Sequence, residues 1–211
     1  MVKKYLIGVV VLIFSLKSVS LWAYYPEDIN RLMETRRCVK CNLIKADLSE
    51  QQLPGAVLKE AMLNGASLRW INLENANLEG AVLENADISW GKLKGAEMSH
   101  AFLKKATLKL ANLEGVNLEG AYLEQADLSW ANLREASLKS ANLKNSNLRS
   151  ANLEESNLGR ANLENADLSD ANLNGAGIQE VYLTGAILDG ATWIDGKKCL
   201  KGSIGRCILS Q

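Results

Sequence analysis

The chain is poor in several things that catalytic and nucleic-acid-binding proteins rely on. Its 211 residues include one histidine, two prolines, two phenylalanines and four threonines. The lone histidine, His100, excludes an H-x-x-x-H metal pair. No glycine-rich phosphate loop and no nucleophile paired with a base can be read along the chain. Threonine occurs only at Thr35, Thr107, Thr184 and Thr192, too sparsely for a threonine array of the ice-binding kind. Neither sign of charge dominates, with 24 Lys and Arg against 24 Asp and Glu. Nucleic acid is therefore not expected as a partner, because binding by counter-ion release needs a basic face. The one long apolar run, Tyr5 to Leu16, is too short to span a bilayer comfortably.

That run has its own meaning. Lys3 and Lys4 precede it, and Lys17 and small residues up to Ala23 follow. A basic start, a short apolar segment and a small-residue cleavage region make a secretory signal over residues 1–23. Cleavage is expected after Ala23, with Ser20 as the second choice and an uncleaved anchor as the competing reading. The expected location is the periplasm or the extracellular space, with no membrane span once the signal is removed. Loss of Lys3, Lys4 and Lys17 leaves 21 basic and 24 acidic residues, a net charge of −3.

From Leu43 to Trp193 every fifth residue is large and apolar. Of these 31 positions 27 are Leu, the others being Ile88, Met98, Ile178 and Trp193. Two residues before each lies Ala in 23 cases; the exceptions are Cys41, Gln51, Ile71, Gly91, Val116, Ser146, Ser156 and Val181. A period of five fits neither the 3.6 of a helix nor the 2 of a strand. Five steps along a helix turn the side chain by roughly 140°, which would spiral the leucines around every side. The chain must instead turn a corner every five residues and stack its turns into a solenoid with a leucine axis. Gln51 is the one amide among the inward set, and no inward position carries charge. His100 falls on an outward corner.

Blocks such as Ala126-Asp127-Leu128-Ser129-Trp130 and Ala161-Asn162-Leu163-Glu164-Asn165 resemble the pentapeptide-repeat proteins. The resemblance covers about 150 residues and implies an all-β, right-handed quadrilateral β-helix with four blocks per coil, hence about 7–8 coils. It further implies a shape shared by proteins of differing activity. The organisation expected is a signal peptide at 1–23, an N-terminal cap helix within 24–40, the β-helix over 41–195 and a capping loop at 196–211. Pro26, Glu27 and Asp28 suit a helix start, and Ile29, Leu32 and Met33 share the face that would close the first coil.

Four cysteines form two local pairs, Cys38/Cys41 and Cys199/Cys207. A single zinc site using all four fails, because seven or so layers of about 4.8 Å put the pairs roughly 35 Å apart. Cys38 and Cys41 both fall on inward positions, which leaves three readings open: a structural disulfide, buried thiols, or thiol–disulfide exchange. The tail around Cys199 and Cys207 is similar to that of exported pentapeptide-repeat proteins, whose last coil is closed by a disulfide-tied loop. That resemblance implies a Cys199–Cys207 bond.

With 20 residues per coil, positions 20 apart stack in columns. Trp70, Trp90, Leu110 and Trp130 share one column, and Met62, Val82, Phe102 and Tyr122 share another. Exposed apolar surface of this kind marks interfaces, and Trp is favoured at hot spots. The alternative is that the rings only stabilise stacking. Charge columns such as Glu84, Lys104, Glu124, Lys144 and Glu164 alternate in sign, which favours neighbours along the ladder. The chain therefore reads as a non-catalytic, cofactor-free exported scaffold. Its expected partner is an unidentified protein or saccharide, held through Trp70, Trp90, Leu110, Trp130, Phe102 and Tyr122. The second reading, a DNA-mimicking topoisomerase-interacting protein, follows only from the resemblance to cytosolic members of the family.

Overall fold

The structure, a computed structural model, describes residues 24–209. The expected signal peptide and its cleavage site lie outside the described residues. From Cys38 onward the backbone repeats one unit. Leu43 carries the core, Ile44 and Lys45 turn the corner, and Ala46 N–H donates to Leu43 O at 3.1 Å. The second turn residue has a positive φ, 56° at Lys45 and 63° at Glu50, as a type II turn requires. Two residues per side are spent on the turn and two point inward. One residue is left to bridge, and it pairs with the residue 20 places on.

Four columns of parallel bridges result. Arg37↔Val57 begins the first side, Asn42↔Met62 the second, Asp47↔Ser67 the third and Gln52↔Asn72 the fourth. Each coil therefore contains 20 residues and four sides. Among the described residues no run is long enough to form an extended strand, so this all-β architecture is built from single bridges between corners. Leu43 N–H donates to Met62 O at 2.8 Å, and Met62 N–H donates to Cys41 O at 2.8 Å, a pattern repeated up the ladder. The central leucines from Leu43 to Leu173 are buried, with Ile88 and Met98 beside them. Each contributes about 1.5–3 kcal/mol by leaving water.

Where the residue before the leucine is Asn or Asp, it has a second task. Asn72 Oδ1 accepts the Glu74 N–H at 3.0 Å, and Asp127 Oδ1 accepts the Ser129 N–H at 2.9 Å. The short polar side chain thus satisfies a corner N–H that the bend takes away from the ladder. On the fourth side the amides also chain together. Asn132 donates to Asn112 at 3.2 Å, Asn152 to Asn132 at 3.4 Å and Asn172 to Asn152 at 3.1 Å.

At the N-terminal end, α1 (Pro26–Thr35) lies over the first and second sides. Pro at the start and Glu27 and Asp28 in the first turn suit its N-terminus. Arg36, in the left-handed region, ends it by donating its N–H to Leu32 O at 2.8 Å. Leu32 is buried and Ile29 is half-buried, but Met33 is exposed. Asp28 is buried: it accepts the Asn42 N–H at 2.7 Å and pairs with Arg31. The carboxylate thereby fills a backbone vacancy that no earlier coil exists to fill. Gln51 is a correction. It is exposed, because the first coil has nothing beneath its third and fourth sides to shut a small inward position, and its amide reaches Ser49 O.

At the other end the chain folds back over the third and fourth sides through antiparallel bridges Ile187↔Ile204 and Thr192↔Lys198. Leu188 and Ala191 beneath it stay buried, while Ile178, Val181 and Leu183 on the two open sides are only partly covered. Trp193, which continues the axis at the end of the fourth side, is half-buried. Among the described residues no helix is long and apolar enough to cross a membrane.

Candidate interaction surface

The tryptophan column forms one edge of the solenoid, the corner between the third and fourth sides. Bridges Ser67↔Asp87↔Thr107↔Asp127 hold the third side in register three residues earlier. The corner amides of Trp70, Trp90, Leu110 and Trp130 then donate to the carbonyls of Ser89, Lys109, Ser129 and Arg149, each at 3.0–3.1 Å. All four residues occupy the left-handed region, with φ of 58°, 63°, 60° and 62°. Glycine takes that conformation freely, as at Gly55 and Gly65, but other corners here use Asn75, Lys45, Glu60, Lys105 or Gln125. Any L side chain there costs about 1–2 kcal/mol, so the strain belongs to every corner of the fold; what sets this edge apart is three exposed tryptophans in one column.

Trp70 and Trp90 stack with ring centroids 4.7 Å apart and planes 9° from parallel. Leu110, which is partly buried, separates that pair from Trp130, the most exposed of the three at 61%. An open groove lined by Glu50, Gln52, Trp70 and Lys92 runs beside the lower end. The second ladder, Phe102 on Tyr122 with centroids 5.0 Å apart, is also stacked and exposed. It sits in the middle of the second side. The structure therefore does not gather the six sequence-predicted residues onto one surface, because the whole third side lies between the two ladders.

That intervening side is charged. Arg69 pairs with Asp87 at 3.0 Å and Arg149 with Asp167 at 3.2 Å. Burial would raise the Asp87 and Asp167 carboxyls, yet the hydroxyls and N–H groups of Ser89 and Ser169, with the two arginines, hold both below the ordinary carboxylate value. Lys144 pairs with Glu164 at 2.8 Å within its column. In the same column Glu84 and Lys104, one coil apart, form no ion pair with each other or with any other described residue, and neither do Lys105 and Lys109.

The remaining candidates are structural. Cys38 is joined to Cys41 and Cys199 to Cys207. Cys38 and Cys41 are fully buried under the cap, with Arg31 Nη2 3.2 Å from the Cys41 sulfur. Reactive cysteines need partial exposure to an attacking thiolate, which these lack. Asp28 lies close to both sulfurs and completes a metal-like trio. The sulfurs are committed to each other and the carboxylate to Arg31 and Asn42, so no ligand set remains. His100 is exposed and lies against Gly120, where a Cβ would come within 2.7 Å of its ring. The turn-capping role of Asn and Asp escaped the sequence reading, although their recurrence just before the leucines was its signal.

A family profile described as pentapeptide repeats (8 copies) matches residues 41–80, 66–109, 111–149 and 146–185. No curated protein sequence matches the chain significantly. Among solved structures, HetL is a pentapeptide repeat protein involved in heterocyst differentiation regulation from the cyanobacterium Nostoc sp. strain PCC 7120. It is 32% identical over 77% of this chain and 86% of its own, with a TM-score of 0.36. Rfr23 from the cyanobacterium Cyanothece 51142 is 26% identical over 79% of this chain and 97% of its own, with a TM-score of 0.23. QnrB1, a plasmid-mediated fluoroquinolone resistance protein, is 21% identical over 67% of this chain and 77% of its own, with a TM-score of 0.46. The profile tiles residues 41–185 in the five-residue phase that the bridges display in space, and the chain belongs to the pentapeptide-repeat family.

Proposed function

We propose that this protein is a non-catalytic, exported scaffold of the cell envelope that engages a partner through the Trp70–Trp130 corner, and that its coils wind right-handed. One observation carries the reading. Trp70, Trp90 and Trp130 stand exposed in one corner column, an apolar edge on a surface that is otherwise mostly polar. An exposed aromatic column of this kind suits an interface, where tryptophan is favoured at hot spots. The signal-like start at residues 1–23 supports export, and both cysteine pairs suit an oxidising compartment.

Stacking narrows the chemistry of the partner. The facing rings of Trp70 and Trp90 cover one another, so a sugar ring could not lie between them, and the edge presents indole rims instead. A protein surface with its own apolar ridge or groove fits better than a saccharide. The DNA-mimicking reading is not adopted, because charges alternate along the columns and leave no continuous acidic face. Envelope pull-down with Trp90→Ala and Trp130→Ala tests the proposal. The variants are expected to lose a partner that the parent retains, and unchanged capture would reject the reading. Supercoiling by gyrase is expected to be insensitive to the protein.

A further inference from the structure

We infer that the partner of the tryptophan corner is a second copy of this chain, packed antiparallel through the third side. This rests on the reading of that corner as a binding edge.

Glu84 and Lys104 share a column, yet their charged ends are unpaired, while Lys144 and Glu164 further along pair at 2.8 Å. The third side and its edges alternate in sign from coil to coil. Arg69 is followed by Glu84 and Asp87, then Lys104, Lys105 and Lys109, then Glu124 and Asp127, then Lys144 and Arg149. A surface striped in this way is complementary to itself when shifted by one coil.

Now place a two-fold axis across the third side, midway between the levels of Trp90 and Leu110. It reverses the solenoid direction but keeps each corner on its own edge. Trp90 then meets the partner's Leu110, and Trp70 meets the partner's Trp130, so every apolar member of the ladder finds an apolar neighbour. Glu84 faces the partner's Lys104, and the symmetry repeats that contact. Asp87 comes between the partner's Lys105 and the partner's Lys109, and Arg69 comes near the partner's Asp127. No like charges oppose one another. Self-complementarity of one patch is what a two-fold interface demands.

Other arrangements do worse. Moving the axis up one coil puts Trp90 against the partner's Ser150 and Trp70 against the partner's Asp170. A two-fold along the solenoid instead sets Lys104 and Lys105 against the partner's Lys109. The four ladder positions span three layers, about 14 Å. The contact is therefore small and belongs to the weak, transient class.

Sedimentation of the purified exported protein over a concentration series tests this. The parent is expected to pass from monomer to dimer. Glu84→Lys alone opposes Lys to Lys twice, and Lys104→Glu alone opposes Glu to Glu twice. Each is expected to weaken self-association about tenfold or more. Mixing the two variants makes both contacts attractive again, and dimer should return; circular dichroism shows that each partner is folded beforehand. Trp90→Ala should weaken the dimer about thirtyfold or more. A parent that stays monomeric throughout, or two variants whose mixture does not associate, would overturn the inference. If the parent is monomeric but Trp90→Ala still loses an envelope partner, only the self-association is wrong. If neither measurement responds to the tryptophan variants, the binding edge falls with it.

Discussion

Trp70 lies flat on Trp90, their ring centroids 4.7 Å apart and their planes 9° from parallel, although each sits on a corner whose φ is near 60°. Two opposing terms therefore meet at one edge. Stacking contributes about 0.5–1.5 kcal/mol per pair, and the left-handed backbone costs about 1–2 kcal/mol per residue.

Trp130 has no stacking partner among the described residues, so its backbone cost is not offset in that way. Trp130→Asn, using a residue found at corners 75, 85, 145 and 165, is expected to leave stability within about 0.5 kcal/mol of the parent. Leu128→Ala, two residues earlier and buried, is expected to cost about 2–5 kcal/mol. Thermal denaturation of the two variants checks the contrast; a large loss in Trp130→Asn would make the ring structural.

Ser146 and Ser156 occupy inward positions that Ala fills elsewhere, and their buried hydroxyls have no hydrogen-bond partner. An unsatisfied buried hydroxyl costs about 1–3 kcal/mol. Ser146→Ala should therefore raise the melting temperature, an increase equivalent to about 1 kcal/mol, although it removes a polar group and adds nothing. A fall on calorimetry would show that the hydroxyl is satisfied.

Gly91 also stands where Ala is usual, and there Ala does not fit. A Cβ at Gly91 would lie 2.9 Å from Ile88 O, 2.9 Å from Leu93 Cδ1 and 3.1 Å from Ile88 Cγ2. Ile88 replaces the usual leucine, and its branch shares the space with Leu93 Cδ1 and its own carbonyl. Gly91→Ala should destabilise by about 1–3 kcal/mol through overpacking, and Ile88→Leu in the same chain should recover much of it. Urea midpoints of the single and double variants decide the matter.

Acid should weaken the third side. The Asp87 and Asp167 carboxyls are held below their ordinary value of 3.8 in the folded chain: burial raises them, but serine donors and arginines outweigh it. A lowered folded value adds stability that is present above the unfolded pKa and lost as pH falls through the folded one. The melting temperature should be flat from neutral pH down to about 5 and decline below about 4. Asp87→Asn should make that decline shallower, and an unchanged acid limb would contradict the assignment.

The Leu and Ala positions reveal their inward direction because the period of five runs through 31 blocks without a slip. The Trp70, Trp90 and Trp130 column was legible once a coil length was taken from the family resemblance. Gln51 misled because its phase is inward, and phase says nothing about whether a coil lies beneath. Asp28 was legible as a helix-start residue, but not its bond to Asn42, 14 residues on.

By itself, then, the sequence determined the five-residue turn, the leucine axis and the alternation of charge, all of them local or strictly periodic properties. Tertiary structure decided how many blocks close a coil, which sides each end cap covers, and that the third side separates the two aromatic ladders. The physical reason is that closure is set by hydrogen bonds between residues 20 apart. No single five-residue block carries that information, and periodicity fails at both ends, where there is no next coil to pair with.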